Sequence, residues 1–189
     1  MNPLYTLAYP QLSARDRVFI DDFRRRYDIP FRDVVAPHWT LAFGCTAIPE
    51  SEYRQHVREI AQVQPTIRFC CRYAMVGVDD ANDNYYVFLV PDDGFSDISR
   101  LHDRLYTGEL TPYLRLDIPY VPHIGIATIA DRRRIKELCD ELNSTGLTIH
   151  GRISSITVCS YDGSKIEALE NFPLADVGCE QANDKTSST

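Results

Sequence analysis

Two short stretches of the chain place a proline, a histidine and an aliphatic residue at the same spacing. Residues 37–41 read PHWTL and residues 122–126 read PHIGI. The chain holds only 5 histidines and 11 prolines in 189 residues, so this echo favours an internal repeat. The unperturbed pKa of histidine is about 6.5, so one imidazole can accept a proton while another donates one. His38 and His123 are therefore a candidate acid–base pair.

Both histidines begin runs typical of β-strands, in which alternate side chains share a face. Small residues follow each histidine on its predicted face: Thr40, Ala42 and Gly44 after His38, and Gly125 and Ala127 after His123. The opposite faces are apolar and should pack on helices, which leaves the small-residue faces to line a cleft. The Thr40 hydroxyl can donate to a phosphoryl oxygen, a bond worth about 1.5–3 kcal/mol.

Cleavage of a phosphodiester needs a base for the attacking oxygen and an acid for the leaving oxygen. Two histidines across a cleft fit that reaction. Two histidines without Cys, Asp or Glu at ligand spacing make a poor zinc site, and the acidic stretch 79–84 lacks the Gly and terminal Glu of a calcium loop. We therefore expect no metal and no cofactor, and structural roles for His56, His102 and His150.

The order of the remaining elements predicts an α+β fold. Helical periodicity begins after Ser13, Ser51, Ser96 and Asp131, and strand-like runs occupy residues 4–9, 38–43, 66–78, 84–90, 123–128, 147–161 and 165–171. Helix, histidine strand, helix and hairpin then occur twice, with the run 4–9 as an extra strand. We expect a single bilobal domain over residues 1–175, with two antiparallel-sheet lobes related by a pseudo-two-fold and helices outside. Residues 176–189 are expected to be disordered.

Composition excludes several classes of protein. The net charge of −7 argues against a protein that coats long nucleic acids. The triplets Arg24–Arg26 and Arg132–Arg134 are interpreted as solvated helix faces. No apolar run reaches the length of a membrane span, and the N-terminus lacks the pattern of a secretory signal. Six cysteines without metal-like spacing then indicate reduced thiols in a cytoplasmic protein, which we expect to be a monomer.

The two motifs in matching contexts resemble those of the 2H phosphoesterase superfamily, which includes 2′-5′ RNA ligase-like proteins and cyclic phosphodiesterases. That family carries one H-x-[ST]-x-aliphatic motif in each lobe of its pseudo-symmetric, LigT-like fold, and the resemblance covers about residues 4–174. It implies that His38 and His123 are catalytic and that Thr40 binds phosphate. It also implies metal-independent activity on 2′,3′-cyclic phosphates, ADP-ribose 1″,2″-cyclic phosphate or 2′-5′ linkages, including ligation.

Gly125 departs from the family pattern, which expects Ser or Thr. The hydroxyl is missing, supplied from another element, or replaced by a backbone N–H. Thr128, which lies five positions after His123, is predicted on the opposite strand face and so is a poor substitute. A non-catalytic nucleotide or RNA-end binding protein of the same fold therefore remains an alternative, as does a protein–protein interaction module with structural histidines.

The sequence leaves the roles of several other site residues unassigned. The sequence does not assign the base and the acid between the two histidines. The candidates for stacking on a nucleobase are Tyr5, Tyr9, Tyr86 and Tyr120. Arg68 or Arg72 can contact phosphate, depending on which strand face meets the cleft.

Overall fold

The computed structural model describes residues 2–78 and 83–176. Our predictions for the tip of the acidic loop and for the tail beyond residue 176 lie outside these residues. All four predicted helices are present: α1 (Ala14–Tyr27), α2 (Glu50–Val63), α3 (Phe95–Leu105) and α4 (Arg132–Ser144), with a short 3-10 helix at Gly108–Tyr113. Within the described ranges, no helix is both long enough and apolar enough to span a membrane.

The strands form two antiparallel sheets. They are β1 (Leu4–Ala8), β2 (Gln11–Leu12), β3 (Trp39–Cys45), β4 (Ile67–Val78), β5 (Tyr85–Asp93), β6 (Ile124–Ile129), β7 (Ile149–Ile153), β8 (Ser155–Tyr161) and β9 (Ile166–Pro173). The first sheet has the order β3-β1-β8-β9 and the second has the order β2-β7-β4-β5-β6. The fold is therefore α+β and bilobal, as predicted, with each histidine strand at the edge of its own sheet.

The two lobes are not the two halves of the chain. The predicted extra strand, β1, lies inside the first sheet, and the hairpin β4–β5 belongs to the second sheet. The predicted strand 147–161 breaks at Ser154 into β7 and β8, which lie in different sheets. The repeat is therefore β1–α1–β3–α2 followed by β5–α3–β6–α4. Periodicity did not show this arrangement because sheet membership depends on pairing between distant segments.

The helices join the lobes. Helix α2 packs on the first sheet and α4 on the second, whereas α1 follows β1 but contacts β6, and α3 follows β5 but contacts β3. One apolar core lies beneath both sheets, and within it the rings of Trp39 and Phe69 meet edge to face at 5.0 Å. All five cysteines in the described part of the chain are free and buried, as expected for reduced thiols.

The buried face of α1 differs from the prediction. Val18 is 58% exposed although it is apolar, whereas Ile20 and Arg24 are buried. Arg25 and Arg26 are solvated, and so are Arg132 and Arg133. The solvated-face interpretation is therefore wrong for Arg24.

Arg24 lies in a buried polar network that joins three segments. Its Nε donates to Asp28 Oδ2 at 2.8 Å, and its Nη2 donates to the carbonyl oxygens of Phe31 at 3.1 Å and Val35 at 2.8 Å. Thr128 Oγ1, on β6, donates to Asp28 Oδ1 at 2.7 Å. Burial raises the pKa of Asp28, while the bonds from Thr128 and Arg24 oppose that rise. The network holds the segment that leads to His38 against the strand of the other lobe.

Replacing Arg24 with Met is expected to lower the free energy of unfolding by about 3–5 kcal/mol, because Asp28 would stay buried without its cation. Urea denaturation followed by circular dichroism measures this loss. The matched control is Arg25→Met, which removes an exposed pair between Arg25 and Asp22. That change should cost no more than about 1 kcal/mol. Equal losses in the two variants would contradict the role given to the buried pair.

Candidate active site

The two histidines have the same local geometry. His38 Nδ1 lies 2.8 Å from the carbonyl oxygen of Ala36, and His123 Nδ1 lies 2.7 Å from that of Val121. A carbonyl oxygen only accepts hydrogen bonds, so each Nδ1 carries a proton and donates it. The nitrogen left to exchange a proton with a substrate is Nε2 in both rings.

The prolines explain why the sequence repeats Pro-His. Ala36 and Val121 each precede a proline, Pro37 or Pro122. A residue before proline is restricted to an extended backbone, which limits the direction of its carbonyl group. Proline also has no N–H of its own. The residue before proline therefore presents its carbonyl oxygen in a restricted direction to the histidine that follows the proline.

The environment of His38 favours its neutral form. The pKa of His38 is lowered to about 4, mainly by burial, with the bond to Ala36 opposing the shift and the positive charges of Arg24 and His123 adding to it. The charge of one histidine thus acts on the other, so the fold brings His38 and His123 together. At neutral pH, His38 Nε2 is an unprotonated base.

A β-bulge on β3 changes the predicted faces. Thr40 pairs with Leu7 and Ala42 pairs with Thr6, so Leu41 is an extra residue on the histidine strand. The bulge turns Ala42 into the core, where it is 1% exposed, instead of along the face of His38. Thr40 keeps its predicted face.

Strand β6 has the same bulge. Gly125 pairs with Phe88 and Ala127 pairs with Val87, which makes Ile126 the extra residue. Ala127 therefore turns into the core, contrary to the prediction. Thr128 moves onto the face of Gly125, also contrary to the prediction. Simple alternation failed at both strands because each bulge adds one residue.

Thr40 and Gly125 occupy equivalent positions but offer different groups. Thr40 is half-buried, and its hydroxyl bonds to no other residue in the described part of the chain. A Cβ placed on Gly125 would meet nothing within 4 Å, so this side of the site is open. Thr128 does not supply the missing hydroxyl, because it is 7% exposed and already bonds Asp28.

Side chains from the second lobe hold the free edge of β3. His102 Nδ1 lies 2.9 Å from the carbonyl oxygen of Leu41, and Tyr120 donates its hydroxyl to the carbonyl oxygen of Thr40 at 3.0 Å. The rings of His102 and Tyr120 stack at 3.6 Å. His102 is 3% exposed and thus structural, as expected. Tyr120 lies three residues before His123 and bonds the backbone of Thr40, so it connects the two histidine motifs.

The remaining aromatic candidates have different surroundings. The ring of Tyr9 lies 6.3 Å from that of His38. Tyr86 is 7% exposed and stacks on Phe88, whose ring in turn stacks on His123 at 3.7 Å. Tyr5 lies beside Gly44. The sequence analysis did not single out Phe88. Its place in the strand run 84–90 was a signal, because every side chain of a strand points to one face of its sheet.

Neither His38 nor His123 lines either of two concavities on the surface. One, of about 220 Å³, is lined by residues that include Tyr9 and Pro37. The other, of about 370 Å³, lies on the second sheet. Cys70, Asp92 and Asp93 bring possible metal-ligand atoms within 4.8 Å of one another. Arg72 pairs with both of these carboxylates, so its guanidinium offsets part of their negative charge.

A family model described as the 2′-5′ RNA ligase superfamily matches residues 10–165. Among solved structures, TT0787 of Thermus thermophilus is 18% identical, with 93% of this chain and 99% of that chain covered and a TM-score of 0.59. E. coli LigT in apo form is 19% identical, with 93% and 98% covered and a TM-score of 0.53. A comparison with curated proteins found no match. The fold agrees with these structures, and the chain belongs to the 2′-5′ RNA ligase superfamily of 2H phosphoesterases.

Proposed function

We propose that the protein is a metal-independent phosphodiesterase that acts on a small nucleotide or an RNA end through His38 and His123. The observation that carries this proposal is the shared bond from each Nδ1 to the carbonyl before a proline, at 2.8 and 2.7 Å. This bond leaves Nε2 of each ring to exchange protons. Two such nitrogens on facing lobes are what a base and an acid need at one phosphodiester.

The lowered pKa of His38 supports a division of roles. His38 Nε2 takes a proton from water as the water oxygen bonds to phosphorus. His123 Nε2–H gives a proton to the ribose oxygen as its bond to phosphorus breaks. The Thr40 hydroxyl donates a hydrogen bond to a non-bridging phosphoryl oxygen. For ligation, a 5′-hydroxyl takes the place of water at the cyclic phosphate: His38 Nε2 accepts its proton as its oxygen bonds to phosphorus, and His123 protonates the departing ribose oxygen.

The openness of the site and the ligands of related structures support the proposed substrate class. E. coli LigT has been solved in complexes with 3′-AMP, ATP, NADP+ and phosphate. These ligands support a nucleotide phosphodiester as the substrate here. The candidates are a 2′,3′-cyclic phosphate, ADP-ribose 1″,2″-cyclic phosphate and a 2′-5′ linkage.

A second candidate function is nucleotide or RNA-end binding without turnover. The observation that favours it is Gly125, which leaves the second motif without its hydroxyl. A cyclic nucleotide that raises the melting temperature and is never hydrolysed would select this function.

The first prediction concerns the two histidines. In EDTA, the wild-type protein should turn over at least one member of a panel of 2′,3′-cyclic nucleotides, ADP-ribose cyclic phosphate and 2′-5′ oligonucleotides. His38→Ala and His123→Ala should each lower kcat by about 10²–10⁴-fold, because each removes a proton-transfer group. Product formation is followed by chromatography. The control is His56→Gln, which changes a histidine of α2 outside the pair. Retained activity in either paired variant would contradict the mechanism.

The second prediction concerns pH. Below its pKa of about 4, His38 is protonated and cannot accept a proton, so the acid limb of kcat/KM should lie far below the usual histidine range near 6.5. The alkaline limb should follow loss of the proton from His123. Initial rates from pH 3.5 to 9 measure both limbs. An acid limb near 6.5, or rates independent of pH, would be inconsistent with His38 as the base.

The third prediction concerns the departure at Gly125. Gly125→Thr should fold normally, because the added Cβ meets nothing within 4 Å. Its hydroxyl should raise kcat/KM on cyclic mononucleotides by up to about thirtyfold, the equivalent of a bond of about 2 kcal/mol. Gly125→Val is the matched control, with the same shape and no hydroxyl. A comparable loss of activity in both variants would mean that the glycine provides space for the substrate instead.

A further inference from the structure

Three side chains form a row across neighbouring strands of the second sheet. Arg152 on β7 pairs in register with Gln11 on β2 and with Arg68 on β4. Residues directly opposite each other in antiparallel strands share a face, and like charges at such positions destabilise a sheet. The chain therefore places two arginines where they repel each other.

Neither arginine forms an ion pair with a carboxylate in the described part of the chain, although three carboxylates act on Cys70, the strand partner of His150. Arg152 donates only to the neutral amide of Gln11, at 2.9 and 3.3 Å, and Arg68 bonds to no residue within the same ranges. Arg72, on the same strand as Arg68, is paired with Asp92 and Asp93. In a chain of net charge −7, carboxylates are plentiful, so their absence from this pair indicates a site for an external anion.

The row lies in a groove of about 370 Å³ whose lining includes His150. Both arginines and His150 are exposed. His150 pairs with Cys70, which shares a strand face with Arg68 by alternation, so His150 belongs to the same face. The groove thus presents three nitrogen-bearing side chains to solvent on one surface.

This surface is the face that carries His123. Phe69 packs in the core, so Arg68, next to it on the strand, points to the opposite face. Further along β4, Met75 pairs with Phe88, and the ring of Phe88 stacks on His123. Arg68 and Met75 are seven positions apart, so simple alternation would place them on opposite faces. The bulge between Cys71 and Tyr73 adds one residue to β4 and brings both side chains to the same face.

The groove also approaches His38. Gln11 lies two residues from Tyr9, whose ring is 6.3 Å from that of His38. Two residues of extended chain span at most about 7 Å, and each strand crossing adds about 5 Å. Arg68 is therefore within roughly 17 Å of Tyr9 along this path. From Met75, the strand partner of Phe88 beside His123, Arg68 is seven residues along β4, or roughly 20 Å, a separation that one mononucleotide held at the histidines does not bridge.

We propose that Arg68 and Arg152, with His150 beside them, bind a backbone phosphate of an RNA strand whose terminal phosphodiester lies at the two histidines. This inference rests on the proposed function and narrows its substrate class to an oligonucleotide end. Planar guanidinium groups suit this task, because they bind phosphate oxygens through two parallel hydrogen bonds. The site is local, which agrees with the net charge of −7.

The test compares binding and turnover. Binding is measured by fluorescence anisotropy with a 5′-labelled pentaribonucleotide that ends in a 3′-phosphate, so it requires no catalysis. Arg68→Gln/Arg152→Gln should weaken this binding by about 10–100-fold and reduce the slope of log K against log salt by about 0.7, because one phosphate is no longer neutralised. The matched control, Arg132→Gln/Arg133→Gln, removes two exposed charges from α4 and should leave both values unchanged.

Turnover gives the second readout. The ratio of kcat/KM for a pentanucleotide 2′,3′-cyclic phosphate to that for the mononucleotide should fall by about 10–100-fold in Arg68→Gln/Arg152→Gln. Equal losses on both substrates, or oligonucleotide binding equal to that of the wild type, would overturn the proposal. If the wild type turns over neither substrate, the proposed function fails, and the anisotropy result still decides the phosphate site.

Discussion

The bond from histidine Nδ1 to the carbonyl before a proline is the interaction on which the rest of the site depends. It determines which imidazole nitrogen remains to exchange a proton, and it occurs at both His38 and His123. The bond holds only if the acceptor stays in place. In the first lobe, Arg24 anchors the preceding segment through the carbonyl oxygens of Phe31 and Val35. A buried cation far from solvent thereby supports the geometry of the imidazole.

The two lobes share a backbone plan but place their histidines in different surroundings. Both motif strands carry a bulge directly after the small or hydroxyl-bearing position, since Leu41 and Ile126 are the extra residues. His38 lies near Arg24, and burial and charge keep it neutral. His123 stacks on Phe88. The proposed acid–base mechanism needs two unlike histidines, and this difference between otherwise equivalent positions supports it.

Each lobe also holds the motif strand of the other. Helix α3 and the segment before β6 bond the free edge of β3 through His102 and Tyr120, while Asp28 at the end of α1 accepts a bond from Thr128 on β6. An edge strand has unpaired backbone groups, and these contacts satisfy some of them on β3. The distance between the two histidines is thus maintained by bonds that cross from lobe to lobe.

The sequence by itself determined the helices, most of the strands, the paired histidines, Thr40 and the departure at Gly125. These features follow from local periodicity, capping residues and a motif spelled twice, all of which act over a few residues. Only the tertiary structure decided that β1 is an inner strand, that residues 147–161 divide between two sheets, and that Thr128 shares the face of Gly125. It also decided that Arg24 is buried and that Arg68, unlike Arg72, lacks a carboxylate among the described residues. Each of these outcomes depends on partners distant in the chain, such as Thr128 for Asp28 and Arg152 for Arg68, and local patterns carry no information about such partners.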